Sequence, residues 1–199
     1  MEIKRLVLGP IETNTYLLTQ GDKALLIDPA SKAERLIKEL EGKELVGILL
    51  THGHFDHIKA VDGLKKHYDC PVYINAEDED MARDKSQGVK YYHTSCNITV
   101  PLDYLEEGRM SIGPFTFETV FTPGHSRGSS IFVFEDDIFT GDTLFRMSVG
   151  RTDLYGGNPR RLKESLRYFK NLGKDYIIHP GHEDETTLSF ELINNPFLK

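Results

Sequence analysis

The chain has 199 residues, 39% of them hydrophobic and 28% charged, with a net charge of −7. This is ordinary globular composition, and an acidic balance with scattered Lys and Arg argues against nucleic acid as the main partner. No run approaches the roughly 18 apolar residues of a spanning helix, and Met1-Glu2-Ile3-Lys4-Arg5 leads into a strand pattern with no signal-peptide core, so no membrane partner and a cytoplasmic location are expected.

Ile3 to Leu8 alternates apolar and basic residues like a half-buried strand. Asn14 to Thr19 and Ala24 to Asp28 flank Gln20-Gly21-Asp22-Lys23, a hairpin. Ser31 with Glu34 forms a capping-box pattern before Leu36, Ile37 and Leu40, so a helix is expected there, closed by Gly42. Val46 to Leu50 reads as a buried strand. Ile58, Val61, Leu64 and Tyr68 then continue at helical spacing, Pro71 to Asn75 is a strand, and Ala76 to Asp84 a short acidic helix. Residues 85 to 105 show no clear period and are expected to form a loop or cap over the site. Phe115 to Phe121 is a strand, Ser130 to Phe134 and Ile138 to Thr140 a second hairpin, and Asn158-Pro159 opens a helix through Leu162, Leu166, Phe169 and Leu172. Asp175 to Ile178 and an amphipathic stretch from Thr187 to Leu192 complete the chain.

Between the predicted strand and helix lies Thr51-His52-Gly53-His54-Phe55-Asp56-His57, with three imidazoles and a carboxylate in six residues. Each imidazole needs a partner for its second nitrogen, and a divalent cation satisfies several at once. His125, Asp142 and His182 each follow a predicted strand in a Gly-containing turn. Seven such ligands exceed one tetrahedral zinc, so two ions sharing a carboxylate fit better. The halves, residues 1–105 and 106–199, also repeat an order of events: strand, hairpin ending in Asp28 or Asp142, helix, then a strand ending in a His-rich Gly turn. One domain of two stacked mixed sheets with helices outside is expected.

The motifs Thr51 to His57, Thr122-Pro-Gly-His125, Phe139-Thr-Gly-Asp142-Thr-Leu-Phe145 and Pro180-Gly-His182 resemble those of the metallo-β-lactamase-fold hydrolases, closest to the glyoxalase II (hydroxyacylglutathione hydrolase-like) branch. Gly150-Arg151-Thr152-Asp153 followed by Gly156-Gly157-Asn158 resembles its short, single-domain members. The resemblance implies an α+β fold, a four-layer αββα sandwich. It places one ion on His52, His54 and His125 and a second on Asp56, His57 and His182, with Asp142 bridging and Asp28 supporting the ligands from behind. The cofactors implied are two divalent ions, zinc first, with iron or manganese as alternatives. The activity implied is attack by a hydroxide held at the ions on a small-molecule thioester of the S-lactoylglutathione type. Asp142 and Asp56 are the catalytic carboxylates, Asp56 first of all as a ligand. A bridging Asp142 sets the chain apart from β-lactamases of this fold. Arg151, Tyr91, Tyr92 and Tyr155 are the candidate substrate contacts. The motifs also resemble the persulfide dioxygenases, in which one iron would sit on His52, His125 and Asp142; a hydrolase of another ester or lactone is the remaining alternative.

Overall fold

A computed structural model describes residues 1–199. The first sheet runs in the order β1 (Glu2–Leu8), β2 (Thr13–Gln20), β3 (Lys23–Ile27), β4 (Glu44–Leu49), β5 (Val72–Ile74) and β6 (Asp103–Tyr104). The second runs β14 (Thr186–Thr187), β13 (Ile177–Pro180), β10 (Asp137–Gly141), β9 (Ser130–Val133), β8 (Phe115–Phe121) and β7 (Gly108–Ile112). A small hairpin, β11 (Leu144–Phe145) and β12 (Ser148–Val149), stands beside it. Pairing from β1 to β4 is antiparallel, antiparallel, parallel. Pairing from β8 through β9 and β10 to β13 follows the same sequence.

Side-chain alternation along each strand sorts residues into three cores. Leu18, Leu25 and Ile27 face the second sheet and pack with Phe115, Phe117, Phe132 and Phe139. Leu17, Ala24 and Leu26 face the other way, against Leu36 of helix α1 (Ala33–Glu39) and Val61 and Leu64 of α3 (Val61–Lys65). Ile131, Ile138 and Ile178 of the second sheet pack on Leu162 of α6 (Pro159–Ser165), Phe169 of α7 (Arg167–Lys170) and Leu188 of α8 (Leu188–Asn194). Helices thus cover the outer face of each sheet, giving the αββα layering. No helix is long and apolar enough to cross a membrane.

Several local expectations give way to tertiary contacts. The Ser31 capping box does not form: α1 starts after Lys32, which is left-handed at φ 55 and has no side-chain cap. The helix expected from the His motif to Tyr68 is split into α2 (Phe55–Ile58) and α3, because Ala60 N donates to Pro29 O at 3.0 Å. Residues 85–105 are not a plain loop but hold helix α5 (Val89–Tyr92) and strand β6, after α4 (Glu79–Ala82). The same segment does fold onto the motif, since Gln87 accepts from Phe55 N at 3.0 Å and donates to Gly53 O at 3.2 Å. Strand β7 had no counterpart in the reading of the sequence, being a short edge strand that is half exposed. Asn158 caps α6 as expected, accepting from Arg160 N at 3.0 Å and Arg161 N at 3.1 Å. Asn158→Ala is expected to lower unfolding stability by about 1 kcal/mol, a drop of a few degrees in Tm read by calorimetry.

Candidate metal centre

Strands β3, β4 and β5 run parallel, so the turns after them, carrying Asp28, Thr51–His57 and Asn75–Asp78, emerge side by side. In the second sheet β10 and β13 are parallel and deliver Asp142 and His182 to the same edge. His125 arrives on the turn between β8 and β9. All seven predicted ligands therefore meet between the two sheet ends.

They fall into two groups. His52, His54 and His125 form one, and Asp56, His57 and His182 the other, the ligand atoms of each lying within 4.8 Å of one another. His54 Nδ1 and His125 Nε2 are 2.8 Å apart. Asp142 reaches both groups: Oδ2 is 3.4 Å from His125 Nε2 and 3.6 Å from His182 Nε2, and Oδ1 is 3.4 Å from His57 Nε2. Asp56 Oδ2 lies 3.3 Å from His57 Nε2 and 3.2 Å from His182 Nε2, and accepts from Thr13 Oγ1 at 2.8 Å.

The outer nitrogens of four of these rings, all but His54, are already engaged. His125 Nδ1 donates to Arg151 O at 2.7 Å and His182 Nδ1 to Ile11 O at 3.1 Å. The Asp28 carboxylate accepts from Thr51 N at 2.8 Å, Thr51 Oγ1 at 2.6 Å and His57 Nδ1 at 2.8 Å. Since the Thr51 hydroxyl gives its hydrogen to Asp28, its oxygen accepts from His52 Nδ1 at 3.0 Å. Four Nδ1–H donors held outward leave four Nε2 lone pairs aimed inward in the neutral rings. Buried His52 Nε2, His57 Nε2 and Asp142 Oδ1 have no hydrogen-bond partner. Unpaired buried groups of this kind are costly, and a divalent cation in each group satisfies them together, so the donor set fits a pair of metal ions.

The electrostatics agree. Burial pushes His52 well below the usual imidazole range, and burial with His125 nearby pushes His54 down to about 4, so both are neutral donors. Burial opposes ionisation of Asp56 and Asp142, yet the surrounding histidines outweigh it and hold both carboxyls well below their usual range. Burial is likewise outweighed at His57 and His182, where Asp56 and Asp142 raise the imidazoles above their usual range, so a cation there competes with protons for the same nitrogens.

A model of the metallo-β-lactamase superfamily matches residues 8–182. The chain belongs to the metallo-β-lactamase superfamily. Within that superfamily it is 38% identical to a probable metallo-hydrolase, YqgX, of Bacillus subtilis, over all of this chain and 98% of the relative. It is 33% identical to the hydroxyacylglutathione hydrolase GloC of Haemophilus influenzae, over 100% and 98% of the two chains. Among solved structures, the B3 metallo-β-lactamase BLEG-1 superposes with a TM-score of 0.92 at 38% identity, covering both chains fully. TTHA1623 in a di-iron-bound form superposes at 0.88 and 37% identity, covering 98% of this chain and all of that one.

Around the superfamily's metal centre opens a cleft of about 540 Å³, whose walls include Phe55, Tyr91, Phe145, Leu154, Arg151 and Glu183. Tyr91 stacks on Phe55 with centroids 5.1 Å apart. Two of the predicted substrate contacts lie elsewhere. Adjacent helical residues cannot share a face, and Tyr92 turns edge-on beneath Phe55, its buried hydroxyl against Gly9. Tyr155 donates to Asp80 at 2.8 Å with the Arg127 guanidinium 4.7 Å over its ring. Leu154 and Phe145 take the places in the cleft wall.

The groups that brace the centre were not evident in the sequence. Asn14 donates to Pro180 O and Glu183 O, both at 2.9 Å, and Tyr16 to Pro180 O at 2.7 Å, so the first sheet holds the turn that carries His182. Fully buried Glu191 accepts from Met147 N at 2.8 Å, and Asn195 donates to Ser148 O at 3.0 Å, fixing the hairpin behind Phe145. The only signal for Glu191 was its spacing of three from Leu188, which puts a carboxylate on the apolar side of α8.

Proposed function

We propose that this chain is a binuclear metal-dependent hydrolase that cleaves a thioester of the S-lactoylglutathione type. The observation that carries this is Asp142, a single carboxylate within reach of both ligand groups. A divalent cation pair, when bound, supplies the Lewis acidity that brings water to hydroxide near neutral pH and polarises a carbonyl. The protein's part is positioning. Thr13 fixes Asp56, Asp28 fixes His57 and, through Thr51, His52, and the backbone of Arg151 fixes His125. Beyond the ligands, the titratable groups walling the cleft are Tyr91, Arg151 and Glu183. A thiol with a pKa near 8.5 leaves as thiolate without prior protonation, which suits such a site. The GloC relative supports the same substrate class.

Arg151, paired with Asp153 at 2.7 Å, stands at the cleft mouth, with Lys90 beside Tyr91. Both favour a substrate that carries a carboxylate. Arg151→Ala is expected to raise KM for an anionic thioester about tenfold, the worth of one charge-assisted contact, with kcat little changed and an uncharged thioester unaffected.

Metal analysis combined with turnover of thioesters, lactones, a β-lactam and a persulfide tests the reading. Two ions per chain and metal-dependent thioester cleavage are expected. One iron with persulfide-dependent oxygen uptake, or β-lactam cleavage in place of thioester cleavage, would overturn it.

A further inference from the structure

Outside the ligand set, a buried carboxylate lies against the loops that carry the first group. Asp78 ends the short 3-10 turn Ala76–Asp78 after β5 and is 2% exposed. Its Oδ2 accepts from Gly53 N at 3.0 Å and from Ser126 Oγ at 2.6 Å, and its Oδ1 from Gly128 N at 2.7 Å. Gly53 lies between His52 and His54, and Ser126 follows His125. The three donors thus come from the two loops that bring the first ligand group together from different sheets.

Both loops press against Asp78 with glycine at the contact. A Cβ on Gly53 would lie 2.7 Å from Asp78 O, and one on Gly128 2.8 Å from Asp78 Cγ. All its partners here are neutral N–H and O–H donors, and a buried carboxylate is tolerated only while such donors stay in place. The cost of losing any one of them holds the two loops at a fixed separation. On the second group this task falls to different residues, Asn14 and Tyr16, which grip the His182 turn.

We propose that Asp78 is a positioning residue that sets the spacing of His52 and His54 against His125, and so governs cation affinity at the first group alone. This rests on the binuclear reading above. Replacing it by Asn retains the shape but removes one acceptor and introduces a donor facing donors.

The test is zinc titration of the full-length protein against a competing chromophoric chelator. His182→Ala confines binding to the first group and His54→Ala to the second. Adding Asp78→Asn to His182→Ala is expected to weaken zinc binding about 10–100-fold, the usual effect of removing a group that orients ligands. Adding it to His54→Ala is expected to change affinity by less than about threefold, within the spread of a distant, independent site. Ser126→Ala, which deletes one donor and no buried charge, is expected to weaken the first group in the same direction by a smaller factor, and it keeps the test open if Asp78→Asn folds poorly. Equal weakening of both groups, or an unchanged first group in both variants, overturns the inference. Wild-type protein that binds fewer than two zinc ions overturns the binuclear reading and this inference with it.

Discussion

Asp142→Ala is expected to lose thioester turnover by about 10³-fold or more and to hold fewer than two ions per chain. The side chain is only 11% exposed and spans 3.4 to 3.6 Å to imidazoles of both groups, so its removal takes a ligand atom from each. It also takes away one of the two carboxylates that face both His57 and His182, leaving Asp56 alone between these rings. Both losses act on the same atoms that the proposed chemistry needs. Metal content by elemental analysis and kcat/KM on a thioester read the result. A variant with reduced stability but full turnover would instead fit a metal-binding scaffold that does no chemistry at this place.

Asp28→Ala is expected to be the most destabilising single change near the centre, by about 3–5 kcal/mol in the metal-free protein. Three donors, Thr51 N, Thr51 Oγ1 and His57 Nδ1, lose their shared acceptor in a site that is 2% exposed. The residue also sits at φ 50, a conformation that Asn and Asp tolerate and Ala does not. Because the Asp28 network sets the tautomers of both His52 and His57, zinc affinity is expected to fall at both groups, unlike the effect of Asp78. Asp28→Asn keeps the backbone fit and is expected to retain more stability than Ala while still weakening both ions. Urea denaturation and zinc competition check the pair of variants. An Asp28→Ala protein as stable as wild type, or one weakened at a single group, would contradict the network.

The ligand-bearing turns were legible because each announces itself twice, by its ligating residues and by its place at the end of an apolar run beside a Gly. His52 follows β4, Asp142 follows β10, and His182 follows β13. The groups behind them were not. Asp78 lies in Glu77-Asp78-Glu79-Asp80, and charge alone does not say which of four acids is buried; Glu77 and Asp80 are exposed. Ser31 and Glu34 match a capping box in spacing, but the left-handed Lys32 starts the helix a residue later. The break after Ile58 comes from Ala60 bonding to Pro29, a partner some thirty positions away that helical spacing cannot reveal. Tyr91 and Tyr92 are equivalent in the sequence and separated only by the direction of a one-turn helix.

The segment Gly150-Arg151 contrasts with the rest of the cleft wall. A Cβ at Gly150 would lie 1.8 Å from Asp142 O, so that position is closed to every other residue. Arg151 holds His125 through its carbonyl oxygen, an atom common to all amino acids, while its side chain is 62% exposed at the mouth. If Arg151 meets the substrate as proposed, recognition and metal binding are carried by separable parts of one residue. Side-chain changes at 151 are therefore expected to alter substrate preference while keeping the backbone hydrogen bond to His125.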